Sequence, residues 1–494
     1  MTSWTSFAIE TGDEPAPTIV FSAGETVYAP AAQRDRVAAA MKAIGFEPKP
    51  GRWLDLVDIG DAGERVLVIA IGSENDADRW RNAGGHVVEA TRALMLARTR
   101  MPAASELGIG NEFVRLLEGV LLHGYRLDQD RRDPIPGHFP STLLVANGDA
   151  ALIEEAQRLA GPVNRARAWV EQPANLLTPA AFADEAEAAL VPLGVTVRKL
   201  GPAELEAMGA RGILAVAAGS ENEPRLTVAE WRGAPDRESW DAALVGKGLT
   251  FDAGGLNLKA RPSIAKMKFD MAGAAAVLGA IERLAARKAP VNIVAVVPMS
   301  ENNIDGKAFR PGDLIKSMSG LTIDVQDTDA EGRIVLADGI TYATEHYDPD
   351  CIVDVATLTG LMMGLLHEEF AGLFTSDDVL ADDLTRAGAA AQELLWRLPL
   401  VAAQDYLVES PVADVSNVGA PGWFGVGAGS PVAGAKFIEK FAKGRRWAHI
   451  DIAGTAWATR RSSRCGPGAT GFGVDLLDRW ADLFGERAKG GAGE

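Results

Sequence analysis

Short, nearly continuous apolar runs alternate along the chain with longer stretches whose apolar residues recur every three or four positions. TIVFSA, directly after Pro17, and RVLVIAIGS (residues 65–73) are rich in β-branched residues and too short for ordinary helices, so both predict buried strands. RDRVAAAMKAI and GGHVVEATRALMLARTR have helical spacing. STLLVANGD predicts a further strand, leading into the long helix ALIEEAQRLAGPVNRARAWVEQ. Two prolines in PANLLTPAAF close that element and open the next, with Thr178-Pro179 as its start. The domain boundary is placed near residue 165, between a smaller N-terminal α/β domain (1–165) and a larger C-terminal α/β domain (166–494).

The second domain alternates more densely. AALVGKGLTF, VNIVAVVPM, CIVDVATLTG and WAHIDIAGTAW predict strands, while GAAAVLGAIERLAARKA, GRIVLADGITYATEHY and PVAGAKFIEKFAKG predict helices. Continuous apolar strands separated by helices imply a mixed sheet covered by helices on both faces. Ligands in such sheets bind beyond the carboxyl ends of the strands. No internal repeat is visible, and the tail ERAKGGAGE is expected to be disordered.

Composition narrows the function. Of 494 residues, 67 are acidic and 49 basic, a net charge of −18 that repels phosphate backbones and speaks against a nucleic-acid partner. Two cysteines, Cys351 and Cys465, supply neither a disulfide framework nor a cysteine-rich zinc site. The six histidines are scattered and contain no HExxH pair. The opening MTSWTSFAIETGDEPAP lacks a basic start followed by an apolar stretch, and no apolar run reaches the roughly 20 residues that span a bilayer. The expectation is a cytoplasmic protein with no membrane association.

Two segments carry the candidate chemistry. VGKGLTFDAGGLNLKARPSIAKMKFDMAGAAA (245–276) and DTDAEGRIVLAD (327–338) together hold Lys247, Asp252, Lys259, Asp270, Asp329, Glu331 and Arg333, many of them at the ends of apolar strands. Asp329 and Glu331 are two apart and would project to one side of an extended chain. Four convergent carboxylates repel one another unless cations lie between them, and two divalent ions about 3.5–4 Å apart are the usual answer. Each residue also has a plainer role open to it. Asp270 could cap the alanine-rich helix, Asp252 could shape a turn, the lysines could lie on the surface, and Arg333 could pair with a neighbouring carboxylate. Residues 327–338 approximate a calcium loop, but SGLTIDVQ upstream alternates like a strand, where that loop needs a helix. Ser263-Ile-Ala-Lys266 matches an S-x-x-K motif without its companion KTG, and Gly246-Lys247-Gly248 lacks the earlier glycine of a phosphate loop.

DTDAEGR closely resembles NTDAEGR, the signature of the leucyl aminopeptidase family of cytosolic, M17-type metallopeptidases. The resemblance runs in order through VGKGLTFDAGG, MKFDMAGAAAV, AFRPGD, VDVATLTG and HIDIAGTAW, from about residue 165 to 480, and more loosely through the N-terminal region. It implies a metal-dependent aminopeptidase that removes N-terminal residues from peptides with a free amino end. It further implies that Lys247 and Asp270 bind one metal, Asp329 the other, and Asp252 and Glu331 both, with manganese, zinc, magnesium or cobalt as candidate ions. A metal-activated water would attack, the substrate amine would bind one metal, and Lys259 would stabilise the oxyanion. Arg333 would hold a bicarbonate that shuttles the proton, in keeping with the absence of histidine from both motifs. Backbone groups of Thr357 and Leu358 would position the peptide, and Met267, Thr357, Gly360, Ala453 and Ala456 would line the pocket for its first side chain. The resemblance also implies a homohexamer. This chain departs from the family at Asp327, usually Asn, and in an altered loop from Pro421 to Ser430. Three other readings stay open: a DNA-binding member, a catalytically idle scaffold, and a two-metal phosphoryl hydrolase. The acidic balance, the complete ligand set and the lysine ligand speak against them in turn.

Overall fold

The computed structural model describes residues 2–3, 5–9, 16–59, 64–73, 78–127, 141–419, 430–460, 462 and 465–490. The chain forms two compact units, residues 1–164 with 459–467, and residues 165–458 with 468–494. The helix Ala150–Glu171 runs from one into the other. Among the described residues no helix is long and apolar enough to cross a membrane.

The first unit is built on a seven-stranded sheet. Thr5–Ile9, Ser141–Val145, Arg98–Met101, Thr18–Ala23 and Glu64–Ala70 lie side by side and parallel, with Trp53–Ile59 antiparallel at the far edge. The strands read from TIVFSA, RVLVIAIGS and STLLVANGD are all present, and Ile19, Leu67, Ile69 and Leu143 share one core with the helices Arg79–Ala93 and Glu112–His123. One element differs from expectation. GGHVVEATRALMLARTR is not helical throughout, because the helix stops at Ala93, Met95 takes a positive φ of 50°, and Arg98–Met101 becomes a strand. Thr99 and Met101 are buried there while Arg98 is exposed, a period of two that the preceding helical spacing masks in sequence.

The second unit has a nine-stranded mixed sheet. Its centre is parallel: Asn292–Asn302, Ala242–Gly246, Ile352–Ala356 and Trp447–Asp451 lie next to one another in that order. Thr196–Leu200 and Arg225–Arg232 add antiparallel neighbours on one side, and Ala371–Phe374 with Leu395–Leu398 complete the other. Side chains alternate across the sheet. Ala243, Val245, Val294, Val296 and Ile352 share one cluster with Ile334, Val335 and Ile340 of the helix Gly332–Tyr347. The helix Ala272–Ala286 packs on the same central strands outside that cluster. Both faces are therefore covered, which is why these strands are apolar without interruption.

Differences from the sequence expectation cluster at element ends. AALVGKGLTF is two strands, Ala242–Gly246 and Gly248–Asp252, the second displaced along Met299–Asn302 so that Lys247 stands at the break. The last helix runs Val474–Gly490, so Glu486–Gly490 of the supposedly disordered tail are helical; residues 491–494 lie outside the described residues. That helix is tied to Ala272–Ala286 by Arg283, whose buried guanidinium donates to Asp478 (2.7 Å) and Asp475 (2.9 Å). Removing one partner of a buried pair leaves the other charge uncompensated. Arg283→Ala is expected to destabilise the second unit by about 3–5 kcal/mol, read as a lowered denaturant midpoint.

Candidate metal centre

The parallel strands converge their carboxyl ends on one region, where strand ends, a helix start and a turn bring the candidate side chains together. Lys247 follows Ala242–Gly246, where its N–H donates to Val355 O (3.0 Å) and its carbonyl accepts from Ala274 N–H (2.8 Å). Asp252 ends Gly248–Asp252. Asp270 stands between the single turn Met267–Phe269 and the helix Ala272–Ala286. Asp329 and Glu331 lie on the turn between the strand Thr322–Asp324 and the helix Gly332–Tyr347, so they converge from a turn and not from extended chain.

These groups form two linked ion-pair bridges. Lys247 Nζ lies 2.7 Å from Asp270 Oδ2 and 2.9 Å from Glu331 Oε1. Lys259 Nζ lies 2.7 Å from Asp252 Oδ2 and 2.5 Å from Asp329 Oδ1. Asp252, Asp329 and Glu331 can each bring an oxygen within 4.8 Å of the others. The lysines are thus not surface lysines: Lys247 is 3% exposed and Lys259 14%. Nor does Asp270 cap a helix, since the following helix starts from Met271 and the Asp270 carboxylate instead accepts from Thr357 Oγ1 (2.7 Å). Asp252 serves both purposes, because Oδ1 accepts the Gly254 N–H (2.9 Å) while Oδ2 faces Lys259.

Two signature glycines are needed for this closeness. A Cβ on Gly332 would lie 2.5 Å from Lys247 Cε. Gly254 has φ of +90°, and a Cβ there would lie 2.8 Å from Asp329 Oδ1.

The electrostatics follow from burial. With every group ionised, four carboxylates facing two ammonium groups would carry a formal charge of −2 in a largely buried site, which favours keeping protons on the acids. Burial pushes the Asp270 carboxyl up to about 8, with Asp252 and Glu331 adding to the rise against Lys247. Burial likewise raises Asp329 to about 7, reinforced by Glu331 and Asp252. Burial also acts to raise Glu331, but the two lysines outweigh it and hold that carboxyl below its ordinary value. For Lys247, burial favours the neutral form, and Asp270, Glu331 and Asp252 outweigh it and hold the ammonium above its usual range.

The donor set fits divalent cations. Glu331 Oε2 is buried and has no hydrogen-bond partner among the described residues. An unpaired carboxylate oxygen in an acidic cluster is a position that a cation satisfies.

The other predicted residues are placed nearby. Arg333, on the first turn of its helix, is buried and makes no simple carboxylate pair; Nη1 donates to Asn417 O (2.7 Å), and Nε has no partner among the described residues. Burial lowers its pKa to about 10, against the charges of Glu331, Asp327 and Asp451, so it stays cationic at neutral pH. Thr357 O accepts from Lys247 Nζ (3.2 Å), and Leu358 N–H donates to Asp451 Oδ1 (3.1 Å), as does Ala453 N–H (3.1 Å). Met267 is half-buried beside Asp270, Gly360 is exposed at the start of Leu361–Leu366, and Ala456 is buried after Trp447–Asp451. The loop from Pro421 lies outside the described residues up to position 429. The calcium-loop alternative fails because Thr322–Asp324 is a strand.

Two supporting residues were not singled out from the sequence. Asn302 donates to Asp252 Oδ1 (2.9 Å) and Thr328 O (2.9 Å), and Asp451 holds Leu358, Thr359 and Ala453. Both end apolar strands, so the rule that singled out Asp252 would have found them.

The geometry agrees with comparison to known proteins. A family model described as the cytosol aminopeptidase family, catalytic domain, matches residues 164–478. A probable cytosol aminopeptidase of Brucella ovis is 39% identical over 463 residues, covering 90% of each chain. The chain belongs to the cytosol aminopeptidase family. It is accordingly a hydrolase and a metal-dependent aminopeptidase. Another family member, from Syntrophotalea carbinolica, is 41% identical over 428 residues and 84% of each chain. Among solved structures, the bottromycin maturation enzyme BotP is 31% identical, with a TM-score of 0.82 over 96% of this chain and 100% of that one. The same enzyme in complex with Mn matches with a TM-score of 0.82 over 95% of this chain.

Asp327, the departure from the aminopeptidase signature, accepts the Asp329 N–H through Oδ1 (2.8 Å). An Asn presents the same oxygen without the charge. Asp327→Asn is therefore expected to leave folding, metal affinity and the pH–rate profile unchanged with both zinc and manganese. A shift in either quantity would show that the charge, and not the turn, is what this carboxylate contributes.

Proposed function

We propose that residues 166–494 form the catalytic domain of an aminopeptidase that cleaves the first residue from peptides with a free amino end, using two divalent metals held by Lys247, Asp252, Asp270, Asp329 and Glu331. The observation that supports this most directly is the buried acidic cluster with its unpaired Glu331 oxygen. Manganese or zinc is the proposed pair, with magnesium or cobalt compatible with so many oxygen donors. When bound, the two ions supply a water ionised near neutral pH and polarisation of the scissile carbonyl, and a bicarbonate supplies a proton acceptor.

The chain's own residues do the rest. The carboxylates provide charge that neutralises the ions, and Lys247, an ammonium in the metal-free cluster, must give up its proton to offer the lone pair a ligand needs. Lys259, poised between Asp252 and Asp329 and partly open to solvent, donates to the oxygen that becomes negative as the carbonyl is attacked. Among the described residues the Nε of Arg333 has no partner, which suits two parallel hydrogen bonds from that edge to a planar anion such as bicarbonate. Lys247, Thr357 and Asp270 are joined to each other, and Asp451 locks Leu358 beside Ala453. The Thr357–Leu358 backbone therefore forms a rigid rail for the peptide, with Met267, Thr357, Gly360, Ala453 and Ala456 as the pocket for its first side chain. Following the family resemblance, the enzyme acts in the cytoplasm as a homohexamer.

Selectivity for a free amino end tests this reading. An acetylated terminus offers the metals no amine lone pair and the acidic cluster no positive charge. Metal-depleted protein refilled with manganese or zinc is expected to hydrolyse an aminoacyl-anilide and to leave its N-acetyl counterpart and a phosphate ester untouched. Equal turnover of blocked and free substrates would overturn the assignment.

The role given to Arg333 has its own test. Arg333→Ala is expected to lower turnover by about 10²–10⁴-fold, the usual worth of positioned proton transfer, with metal content retained. It should also abolish activation by bicarbonate added to carbonate-depleted buffer. Loss of the metals instead would make Arg333 a structural support of the centre.

A further inference from the structure

The turn that carries Asp329 and Glu331 is held from outside by one residue about 90 positions later in the chain. Asn417 follows the short strand Val415–Ser416, which pairs parallel with Thr322–Asp324, and it is fully buried. Its Oδ1 accepts the N–H of Gln326 (2.8 Å) and of Asp327 (3.4 Å). Its Nδ2 donates to the carbonyls of Asp327 (2.6 Å) and Ala330 (3.3 Å). Its main chain is used as well: N–H donates to Asp324 O (3.0 Å), and the carbonyl accepts from Arg333 Nη1 (2.7 Å).

We propose that Asn417 is a positioning residue that sets both the approach of Asp329 and Glu331 to the metals and the orientation of the Arg333 guanidinium. A carboxamide has one oxygen with two lone pairs and two N–H donors, and here all four are spent on the backbone of residues 326–330. Asp has the same shape but cannot donate, Ser is too short, and Gln is longer by a methylene. The turn gives the carboxylates their place, and Asn417 gives the turn its shape. The carbonyl of the same residue occupies Nη1 of Arg333, so the Nε edge is the one left for an anion. One residue thus couples the two halves of the proposed chemistry, although it touches neither metal nor substrate in that scheme. This inference rests on the metal-centre reading above.

The test uses the full chain, metal-depleted, as parent, Asn417→Ala, Asn417→Asp and Asp414→Ala. Asp414 is a control in the same strand pair, where its exposed carboxylate accepts from Thr322 N–H (2.8 Å) and Oγ1 (2.7 Å). The readouts are Mn²⁺ and Zn²⁺ affinity by chelator competition, and the response of turnover to added bicarbonate. Asn417→Ala is expected to weaken metal binding by about 10–100-fold, the range for residues that orient metal ligands, and to blunt bicarbonate activation. Asn417→Asp keeps the side-chain shape and serves where the Ala variant fails to fold. Its added negative charge would by itself tighten cation binding, so weaker binding in this variant identifies lost positioning, and tighter binding overturns the proposal. Parent-like affinity and bicarbonate response in the Asn417 variants, or equal losses in Asp414→Ala, also overturn it. A parent that binds no divalent cation would bring down the metal-centre reading and this inference with it, whereas a metal-binding parent with unaffected variants refutes the inference alone.

Discussion

Four carboxylates, three of them buried and Asp329 partly open, gathered beyond the carboxyl ends of the parallel central strands are the constraint on which the rest of the catalytic unit depends. Taking charges out of water costs several kcal/mol each unless they are paired. Lys247 and Lys259 meet part of that demand by bridging Asp270 to Glu331 and Asp252 to Asp329. The excess of carboxylates over ammonium groups leaves room for a cation in place of the protons that Asp270 and Asp329 otherwise retain. It also accounts for the opposed shifts of the members: Asp270 and Asp329 are raised, while Glu331, with the lysines dominating its surroundings, is lowered. A cluster of this kind is stable only where the backbone around it cannot relax.

That rigidity comes from the sheet and from close backbone approaches. The central strands are covered on both faces, and the break at Lys247 is fixed by main-chain bonds to Val355 and Ala274. Gly332 and Gly254 let the lysine and the Asp329 oxygen come nearer than any side chain would permit. The amides Asn302 and Asn417 then tie the turn around residues 326–330 to the strands on either side. Preorganisation is what such a centre requires, since ligands that must move on binding surrender affinity and misplace the reacting groups.

A second buried acid performs a different task. Among the described residues Asp451 has no cation hydrogen-bonded to it; it accepts from Leu358 N–H, Ala453 N–H and Thr359 Oγ1. Beneath it, on the same strand, His449 pairs with Asp354 (2.6 Å), which also accepts from Trp447 Nε1 (2.7 Å). The residues proposed as metal ligands and the segments proposed to hold the peptide are fastened to the same strands, and Thr357, bonded to both Lys247 and Asp270, links the two sets.

Composition and periodicity determined the class of fold and most of the buried strands, and motif spacing singled out residues that the structure brings together around Lys247 and Lys259. Apolar runs such as VNIVAVVPM and CIVDVATLTG are buried on both faces here, as their unbroken hydrophobicity requires. Local pattern failed where two periodicities overlap, as at Arg98–Met101, and where helix propensity extends a terminus, as at Glu486–Gly490. The ion-pair bridges, the bond from Arg333 to the Asn417 carbonyl, and the four bonds that Asn417 makes to a turn 90 residues away were decided only by the tertiary structure. A hydrogen bond of that kind depends on distances set by strand pairing and by packing of distant segments. A lone asparagine in DVSNVG carries no local trace of its partner, whereas a hydrophobic period or a crowded set of charges is physically local and can be read in the chain itself.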